Sequence, residues 1–585
     1  MGSFKEKFLG FFRKIKCIYK KADKKMPYTE PIVVISTSLL IVLGLILTVR
    51  SVTQQQAITI AENAAEEYYY NNDFEGAINE FATLQETEEW PIYKVKTAEI
   101  YSIKGDFDKS NQLLAEAVSD RDKLIKANGR DKYIQQDVEF MNYVIFTYFM
   151  NNENEQALTL GEDYLKEFDT SKSVMRTMMT IYMVNGKSDK AIELVNKYPV
   201  NNTSSYDIAL YAKMNMLLGN WDKGFEELKK SWDLNKDEIK VFDIITQFAS
   251  NDSKFIEDKL IKMSNENPDE VCYKVWLAKV YSMSTETSEK ANEIIEEVKN
   301  KDVGKLNFEI LKSQVYEDLG RKEESEEIIK KVIANEENRF FGYHIAAWQE
   351  FKNKQYNKAL EYCKLSILEN KDYADNYVFL ISDILIAKGE VTEADSYLRT
   401  GLRLEPFNYN IIFKTGDYYA NTANYKKAQS YYEIGLKIKN DDAKLHYNLA
   451  HYYRSDNNLE NAIKELNKCV ELDKNNISYL RTLGAMNLEA GNEEKGIEYT
   501  RAAYALDNND PLTLNNAAVY YMSIEGDVER GMVNMESAYK NLDSVTDLEA
   551  QDFIITNYKE AKDLYEKYKS GSGETLTVPE FTLFY

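Results

Sequence analysis

The chain has 585 residues, with 73 Lys and Arg, 96 Asp and Glu and 3 His, which gives a formal net charge of -23. This acidic balance excludes nucleic acid as a partner, because neutralising phosphates requires a basic surface. Aromatic residues are 12% and charged residues 29%, so the chain is too apolar for general disorder and too charged for many membrane spans. The chain has only 8 Pro and 24 Gly, and this scarcity of turn-forming residues favours long helices over β-structure.

Residues 1–30 form a basic segment with nine Lys and Arg residues against three acids. Within residues 4–25, aromatic and aliphatic side chains recur at helical spacing with basic residues between them. This pattern predicts an amphipathic helix that binds anionic lipid of the inner leaflet. A basic flank that only sets the membrane orientation explains the pattern equally well.

Residues 31–50 are predicted to form a single transmembrane helix. The 19 residues from Pro31 to Val49 carry no charge, and a helix of this length spans about 28 Å, close to the hydrocarbon thickness. A cleaved signal peptide is the alternative, but its apolar region is shorter and no small-residue cleavage site follows. Because basic flanks stay inside, we expect a cytoplasmic N-terminus and an extracytoplasmic remainder at the cell membrane.

A small residue that follows a short turn recurs through the rest of the chain. From Ala291 to Gly531 every step between such residues is within one of 34 positions. Several units carry a second small residue twelve positions upstream, such as Ala450 before Ala462. Small residues at these two places let paired helices approach closely, and one such hairpin cannot bury its apolar faces alone. The pattern therefore predicts stacked helical hairpins.

Residues 443–474 carry Leu449, Ala450, Tyr453 and Ala462 at the positions of a known repeat. In this pattern the chain resembles a membrane-anchored tetratricopeptide-repeat protein of bacterial type. The resemblance implies an all-α fold: a tetratricopeptide-type α-solenoid of about 14 helical-hairpin repeats after one transmembrane helix. It also implies a non-catalytic protein-binding role.

Interruptions of the 34-residue period set the predicted segments. The step from Ser110 to Ala157 is 47 residues, which indicates longer helices or a loop near Asn128. The segments are a basic amphipathic cytoplasmic segment (1–30), a transmembrane helix (31–50), an N-terminal repeat array (57–235), degenerate repeats (236–340), a regular C-terminal array (341–545), a capping helix (546–570), and a flexible linker with an apolar tail (571–585). The tail is expected either to pack on the last repeat or lie disordered, or to dock in a groove or on a partner's sheet.

Catalytic, metal and cofactor chemistry is not expected from the residues present. The histidines have no nucleophile or acid at triad-like spacing, and His446 falls at a packing position. The four cysteines are widely spaced, and Cys363 and Cys469 fall at core positions. No Gly-rich phosphate loop is present. We therefore expect no enzyme activity and no cofactor.

Seven residues are candidates for partner binding. Packing between repeats is the alternative for the tyrosines, which are first members of Tyr doublets, and the resemblance places the Lys and Asn at groove positions. Thr482 stands where an acidic-peptide groove needs a basic residue, and residues 51–585 carry a net charge of -30, so we expect a neutral or cationic partner surface or polymer. The candidates are His344, Lys414, Tyr418, Asn448, His451, Tyr452 and Tyr520.

These observations predict a membrane-tethered protein–protein interaction scaffold in a bacterial cell envelope. Assembly, secretion or exopolysaccharide export complexes are the settings that similar tethered repeat proteins suggest. One alternative is a peptide receptor or adaptor on an organelle or membrane surface, with the repeats facing the cytosol. The other is an enzyme with a cryptic site, which an array without a compact non-repeat domain disfavours.

Overall fold

The computed structural model describes residues 62–335, 339–389, 394–571 and 576–585. In these ranges the chain consists of α-helices with short 3₁₀ and π turns, and no β-strand occurs there. The prediction of an all-α, tetratricopeptide-like fold is therefore confirmed.

The helices follow one another with connections of a few residues. Residues 62–70 are helical, and the helices after them are numbered α1 to α28. They are α1 (Phe74–Thr87), α2 (Ile92–Lys104), α3 (Phe107–Asn128), α4 (Ile134–Met150), α5 (Asn154–Glu167), α6 (Lys172–Val184), α7 (Ser188–Asn196), α8 (Ser205–Leu217), α9 (Trp221–Leu234), α10 (Ile239–Asn251), α11 (Ser253–Glu266), α12 (Val271–Tyr281), α13 (Ser288–Val298), α14 (Leu306–Asp318), α15 (Lys322–Ala334), α16 (Arg339–Lys352), α17 (Tyr356–Glu369), α18 (Ile381–Lys388), α19 (Asp395–Leu404), α20 (Tyr409–Asn421), α21 (Tyr425–Ile438), α22 (Ala443–Ser455), α23 (Leu459–Leu472), α24 (Ile477–Glu489), α25 (Glu493–Leu506), α26 (Pro511–Tyr520), α27 (Val528–Lys540) and α28 (Leu548–Ser570).

Consecutive helices pair into hairpins, beginning with α2 and α3 and ending with α26 and α27. The number of repeats differs from the predicted count of about 14. The described residues contain thirteen hairpins in which both helices have complete bounds, and the helix before α1 is described only from residue 62. The prediction divided the chain by a fixed period from residue 57, whereas real helix lengths vary from one hairpin to the next.

The chain divides into two compact units, Met1–Gly129 and Arg130–Tyr585. The described part of the first unit ends with α3, which has 22 residues and stops at Gly129, whose positive φ of 81° favours glycine. The length of α3 accommodates most of the additional residues in the 47-residue step. The second unit contains α4 to α28, with α28 following the last hairpin.

The two small residues of each repeat lie where its helices cross. Ala450 and Ala462 are fully buried (0% exposed). Where serine replaces the second alanine, its hydroxyl bonds the facing helix: Ser325 Oγ donates to the carbonyl of Ser313, twelve residues upstream, at 2.9 Å. The same contact joins Ser110 to a carbonyl of α2 at 2.7 Å. A larger side chain at these crossings would push the helices apart.

Short polar turns connect the two helices of a hairpin. Between α22 and α23, Asn457 adopts a left-handed conformation (φ 56°), and Asn458 then accepts the backbone N–H of Asn461 as the N-cap of α23. Asn tolerates both roles because its short amide bonds nearby backbone groups. The turn thus ends one helix and starts the next within three residues.

The predicted membrane segments lie outside the described residues. This applies to the transmembrane helix at 31–50 and to the amphipathic segment at 4–25. Across the part of the chain that the structure describes, no helix is both long and apolar enough to traverse a bilayer.

Candidate functional site

The tail, defined here as residues 576–585, lies against the last helices of the second unit. It has no regular secondary structure and contacts α22, α24, α26 and α28. We call the surface of these four helices that contacts the tail the tail groove. The tail thus packs against the end of the repeat array.

Asn516 on α26 binds the backbone of Phe584 through both ends of its side-chain amide. Its Nδ2 donates to the Phe584 carbonyl oxygen at 2.7 Å, and its Oδ1 accepts the Phe584 backbone N–H at 2.8 Å. Asn516 is fully buried (0% exposed), so its donor and acceptor depend on the tail for partners. This reciprocal pair fixes the register of the tail.

Asn557 on α28 repeats the arrangement two residues earlier in the tail. Its Oδ1 accepts the Thr582 backbone N–H at 3.1 Å, and its Nδ2 donates to the Thr582 carbonyl at 2.9 Å. Asn515 on α26 donates to the same carbonyl at 2.9 Å and also accepts from Asn557 Nδ2 at 2.8 Å. A spacing of two residues is the period of an extended chain, so Asn516 and Asn557 bind the tail as a partner strand would.

The side chains of the tail occupy separate apolar sites along the groove. Phe581 packs among Ala518, Met522 and Leu564, while Phe584 packs in a second cluster that includes Ile554. Both phenylalanines are at least nine-tenths buried. Burial of an aromatic ring provides most of the affinity in such contacts, and the shape of each site selects the ring.

Tyr585 ends the tail against α22 and α24. The guanidinium of Arg454 lies 3.6 Å from the centre of its ring, and its hydroxyl donates to Glu489 Oε2 at 2.8 Å. Arg454 also donates to Glu489 at 2.7 Å, so the three side chains form one cluster. Burial and the hydrogen bond to Glu489 raise the pKa of Tyr585 to about 12, so its hydroxyl stays a donor at neutral pH.

The tail groove therefore has the two features that peptide recognition requires. Paired asparagine amides bind main-chain groups whatever the side chain, and apolar sites distinguish the side chains. The contacts of Asn516 and Asn557 carry no charge, which suits a neutral segment.

Lys414 and Asn448, predicted at groove positions, both bond to carboxylates of this chain. Lys414 Nζ pairs with Asp383 Oδ1 at 2.5 Å, and Asn448 Nδ2 donates to Asp417 Oδ1 at 3.5 Å. Burial raises the pKa of Asp417 because it disfavours the charged carboxylate. The carboxylate therefore depends on its hydrogen bonds for stabilisation. Lys414 lies on α20 and Asn448 on α22.

The three candidate tyrosines differ in exposure. Tyr418 is buried (2% exposed) beside Tyr419, with ring centres 5.2 Å apart. Tyr452 is half-buried and stacks on Tyr432 at 5.4 Å. Tyr520 is half-buried at the end of α26. Tyr432, on which Tyr452 stacks, donates to the Asp417 carboxylate that Asn448 also contacts. Tyr452 and Asn448 therefore lie near the same carboxylate.

The two candidate histidines lie in separate places. His344 is buried and bonds through Nδ1 to Asn376 Oδ1 at 2.8 Å. His451 is half-buried, with its ring 4.6 Å from that of Tyr447 in an edge contact. Burial lowers the pKa of His451 to about 4, so it is neutral at physiological pH. The seven candidates therefore do not converge on one site.

Sequence reasoning missed Asn515, Asn516 and Asn557, which bind the tail backbone. The one signal was the Asn doublet inside α26, since Asn is a poor residue for a helix interior. The three side chains share almost complete burial, at 0 to 2% exposed.

A second segment of the chain fills another part of the second unit. Glu405, which follows α19, accepts from Lys213 of α8 at 2.9 Å and from Lys240 of α10. Asn408 donates to the same carboxylate at 2.9 Å. We call the surface formed by the first helices of successive hairpins the inner face. Glu405 and the residues after it thus cover the inner face of α8 and α10.

The tetratricopeptide repeat family matches residues 310–339 and 443–476, which correspond to the hairpins α14–α15 and α22–α23. These two segments are tetratricopeptide repeats. Such repeats build protein–protein interaction scaffolds from stacked hairpins. No curated protein sequence matches the chain.

Several solved structures share the repeat architecture. The Cut9–Hcn1 hetero-tetramer of the APC/C is similar over 86% of this chain and 96% of that chain, with 13% identity and a TM-score of 0.39. YrrB, a tetratricopeptide-repeat protein with an unusual peptide-binding site, is similar over 31% of this chain and 93% of its own, with 20% identity and a TM-score of 0.28. The C-terminal part of a repeat protein from Cytophaga hutchinsonii is similar over 41% and 97%, with 17% identity and a TM-score of 0.35. At identities and TM-scores this low, the similarities give no information about the partners of this chain.

Cys363, Cys469 and His446 occupy packing positions. Cys363 and Cys469 are buried, and burial raises the pKa of both thiols. His446 is buried at a packing position, where its ring bonds Glu465 at 2.6 Å. Among the described residues, no group of three His, Cys, Asp or Glu side chains is arranged to hold a metal ion.

Proposed function

We propose that this protein is a peptide-binding interaction scaffold whose tail groove binds an extended segment of a partner protein. The observation that carries the proposal is the pair of hydrogen bonds between Asn516 and the backbone of Phe584. An amide that binds both main-chain groups of one residue recognises any extended segment, and the tail is the segment that occupies it here. A partner segment therefore competes with the tail.

The partner segment should be neutral or cationic and should carry two aromatic residues three positions apart. The spacing corresponds to Phe581 and Phe584, which fill the two apolar sites. The charge preference follows from the net charge of -30 on residues 51–585, which repels an acidic segment at low ionic strength.

A binding experiment with the synthetic peptide 577–585, amidated at its C-terminus so that its amino group balances Glu580, tests this proposal. A chain that lacks residues 576–585 should bind the fluorescent peptide, and the full chain should bind it at least about tenfold more weakly, because its own tail competes at high effective concentration. Methylation of the Phe584 nitrogen in the peptide removes one donor and should weaken binding about tenfold, since hydrogen bonds to buried groups are worth about 1–3 kcal/mol.

The matched variants in the tail-deleted chain are Asn516→Leu and Asn534→Leu. Asn516 contacts the tail, whereas Asn534 on α27 donates to the carbonyl of Arg530 in its own helix. The first change should abolish peptide binding and the second should leave it intact. If the tail-deleted chain fails to bind the peptide, or binds the N-methylated peptide equally well, the tail groove is not a peptide site.

We further propose that the scaffold is tethered to the cell membrane of a bacterium with its repeats on the extracytoplasmic side. The apolar run at 31–50 and the basic residues before it support this arrangement. Inner-leaflet lipid would bind residues 4–25, and the repeats would serve an envelope assembly, secretion or export complex. Its role would be binding rather than catalysis.

Protease treatment of intact cells tests the location. The repeats should be digested from outside, and deletion of residues 31–50 should release the chain from the membrane fraction. Protection in intact cells combined with membrane association would favour the cytosol-facing receptor instead.

A further inference from the structure

A cavity of about 430 Å³ lies on the inner face of the second unit, apart from the tail groove. Side chains of α10, α12, α14 and α16 form its walls. Tyr373 and Asp375, from the segment before a π turn at Asn376–Leu380, complete the lining together with Asn410 of α20. This volume holds a molecule of several non-hydrogen atoms rather than a single water.

Gln247 of α10 lines this cavity with a side chain that has no hydrogen-bond partner. It is 8% exposed, and both its Nε2 and its Oε1 are buried and unbonded. Buried amides in native proteins are nearly always hydrogen-bonded, because an unbonded one loses its contacts with water and gains none in return. Gln247 therefore indicates that a polar ligand belongs in the cavity.

Two carboxylates in the lining also have unused oxygens. Asp375 Oδ1 is buried without a hydrogen bond, and so is Asp243 Oδ2. Asp243 Oδ1 accepts a hydrogen bond from Tyr373 at 3.2 Å. The Nζ of Lys240 lies 3.7 Å from Asp243 Oδ2, but this lysine donates its hydrogen bond to Glu405. Asp375 thus has the least compensated carboxylate oxygen in the cavity.

His344 adds a further acceptor. Asn376 Nδ2 donates to Ser366 Oγ at 2.8 Å, which leaves Asn376 Oδ1 to accept from His344 Nδ1. The proton of the imidazole is then on Nδ1, and Nε2 carries a lone pair. Burial lowers the pKa of His344, so the ring remains neutral and accepts hydrogen bonds.

Aromatic rings surround His344 at the same wall. Phe341 stacks on the imidazole at 5.8 Å, Tyr373 lies at 5.2 Å and Trp348 at 6.5 Å. The faces of such rings attract cations, with Trp the strongest.

The cationic side chains of the lining are already engaged. Lys279 donates to Gln314 at 2.6 Å, and Lys352 pairs with Asp318 at 3.4 Å. Burial also lowers the pKa of Lys279 to about 8, whereas burial and the charge of Asp243 raise the pKa of Asp375 to about 7. In the described structure both lysines of the lining therefore bond to groups other than Asp375.

We propose that this cavity binds an organic cation with several N–H donors, an ammonium or guanidinium group, held by Asp375, Gln247 and His344 against the aromatic wall. The carboxylate and the imidazole accept its N–H groups, and Gln247 accepts through Oε1 and offers Nε2 to a further acceptor on the ligand. The same group is available from a free metabolite or from a Lys or Arg side chain of a partner protein.

Calorimetry with the full-length chain and a matched pair of probes tests the proposal. n-Butylguanidinium and n-butylurea have nearly the same shape, but only the first is charged. We expect the guanidinium to bind at least about tenfold more tightly, since hydrogen bonds that involve a charged group are stronger than those between neutral groups. Equal binding of the two probes, or binding of neither, overturns the proposal.

Three variants locate the site. Asp375→Asn and Gln247→Met should each weaken n-butylguanidinium binding about tenfold or more. Glu369→Gln removes an equal charge from a carboxylate that pairs with Arg339 outside the cavity and should leave binding unchanged. Wild-type affinity in Asp375→Asn would place any bound cation elsewhere.

Gln247→Met separates ligand binding from a structural role. Without ligand, the variant should be as stable as the wild type or more stable, because it removes two unbonded buried groups. A gain in stability combined with a loss of binding supports the proposal, whereas a parallel loss of both contradicts it. Competition by a short Arg-containing peptide, but not by free agmatine, would identify a partner side chain as the natural source.

Discussion

Lys213 and Glu405 are 192 positions apart in the sequence, and their side chains meet at 2.9 Å in the interior of the second unit. Lys240 binds the other oxygen of the same carboxylate. All three side chains are at most 3% exposed. Because α8 and α10 provide the lysines and α19 precedes the glutamate, this triad holds distant repeats of the unit against each other.

Glu405→Ala should destabilise the protein by about 3–5 kcal/mol. The change leaves two buried ammonium groups without their partner, and an uncompensated buried charge is costly. Replacement of all three residues by Met should recover most of this loss, because apolar residues of similar volume substitute well for a buried ion triad. Chemical denaturation measures both effects.

The control is Glu193→Ala. Glu193 lies on α7 and forms an exposed ion pair with Lys197, the C-cap residue of that helix. Water and salt screen exposed pairs, so the effect should be small. Similar losses for Glu193→Ala and Glu405→Ala would show that the triad does not hold the repeats together.

Gly435→Ala should stabilise the protein by about 0.5–1 kcal/mol, since Ala loses less backbone entropy in a helix. A Cβ at this position of α21 meets its nearest atom, on Leu445, at 3.7 Å, which is an ordinary contact. The matched change Gly416→Ala should destabilise by about 1–3 kcal/mol, because its Cβ would lie 2.7 Å from the Tyr432 ring. Thermal unfolding distinguishes the two, and effects of the same sign would contradict the packing described for this repeat.

The pH dependence of stability should change in Asp375→Asn. Burial and Asp243 raise the pKa of Asp375 from its ordinary value of 3.8 to about 7 in the folded protein. Between these values the folded state keeps a proton that the unfolded state releases, so this group makes the free energy of unfolding fall as the pH rises from about 4 to about 7.

The amide that replaces the carboxyl of Asp375 cannot titrate, so the variant should have a flatter profile than the wild type in this window. Lys240, Glu405 and His344 also face Asp375, and they remain in both proteins. Urea denaturation at a series of pH values gives the two curves, and parallel curves would show that the carboxyl is already ionised at low pH.

Asn516→Leu in the full chain should loosen the tail around Phe584 without unfolding the repeats. Both hydrogen bonds to Phe584 are lost, and Phe584 keeps only its apolar contacts. We expect the Phe584 amide to exchange with solvent at least about tenfold faster, which corresponds to a loss of about 1.4 kcal/mol. Hydrogen exchange measured by mass spectrometry reports this, and unchanged protection of the tail peptide would contradict the described register.

The hairpins could be predicted from the sequence because their determinants are local. Ala450 and Ala462 are twelve positions apart and meet at a crossing of adjacent helices, as their spacing indicated. Buried cysteines at Cys363 and Cys469 follow from the same periodicity. The repeat count was predicted less well because α3 is longer than the period allows.

The seven candidates named from the sequence do not include Asn515, Asn516 or Asn557, which bind the tail. Lys414 and Asn448 were placed on first helices by analogy with the repeat family, and their carboxylate partners come from the same helix layer. The residues that bind the tail were missed because an Asn in a helix gives no sign of which backbone lies opposite. For Asn557 and Asn516 that backbone belongs to residues 25 and 68 positions away.

The sequence by itself determined the repeating helical hairpins, the small residues at their crossings and the acidic charge of the chain. Only the tertiary structure decided that Glu405 meets Lys213, that the tail lies in the tail groove and that a cavity remains beside Asp375. The reason is the range of the interactions: a hairpin buries residues a few positions apart, so its pattern is visible along the chain. Contacts between distant repeats depend on small rotations summed over many hairpins, which no local pattern records.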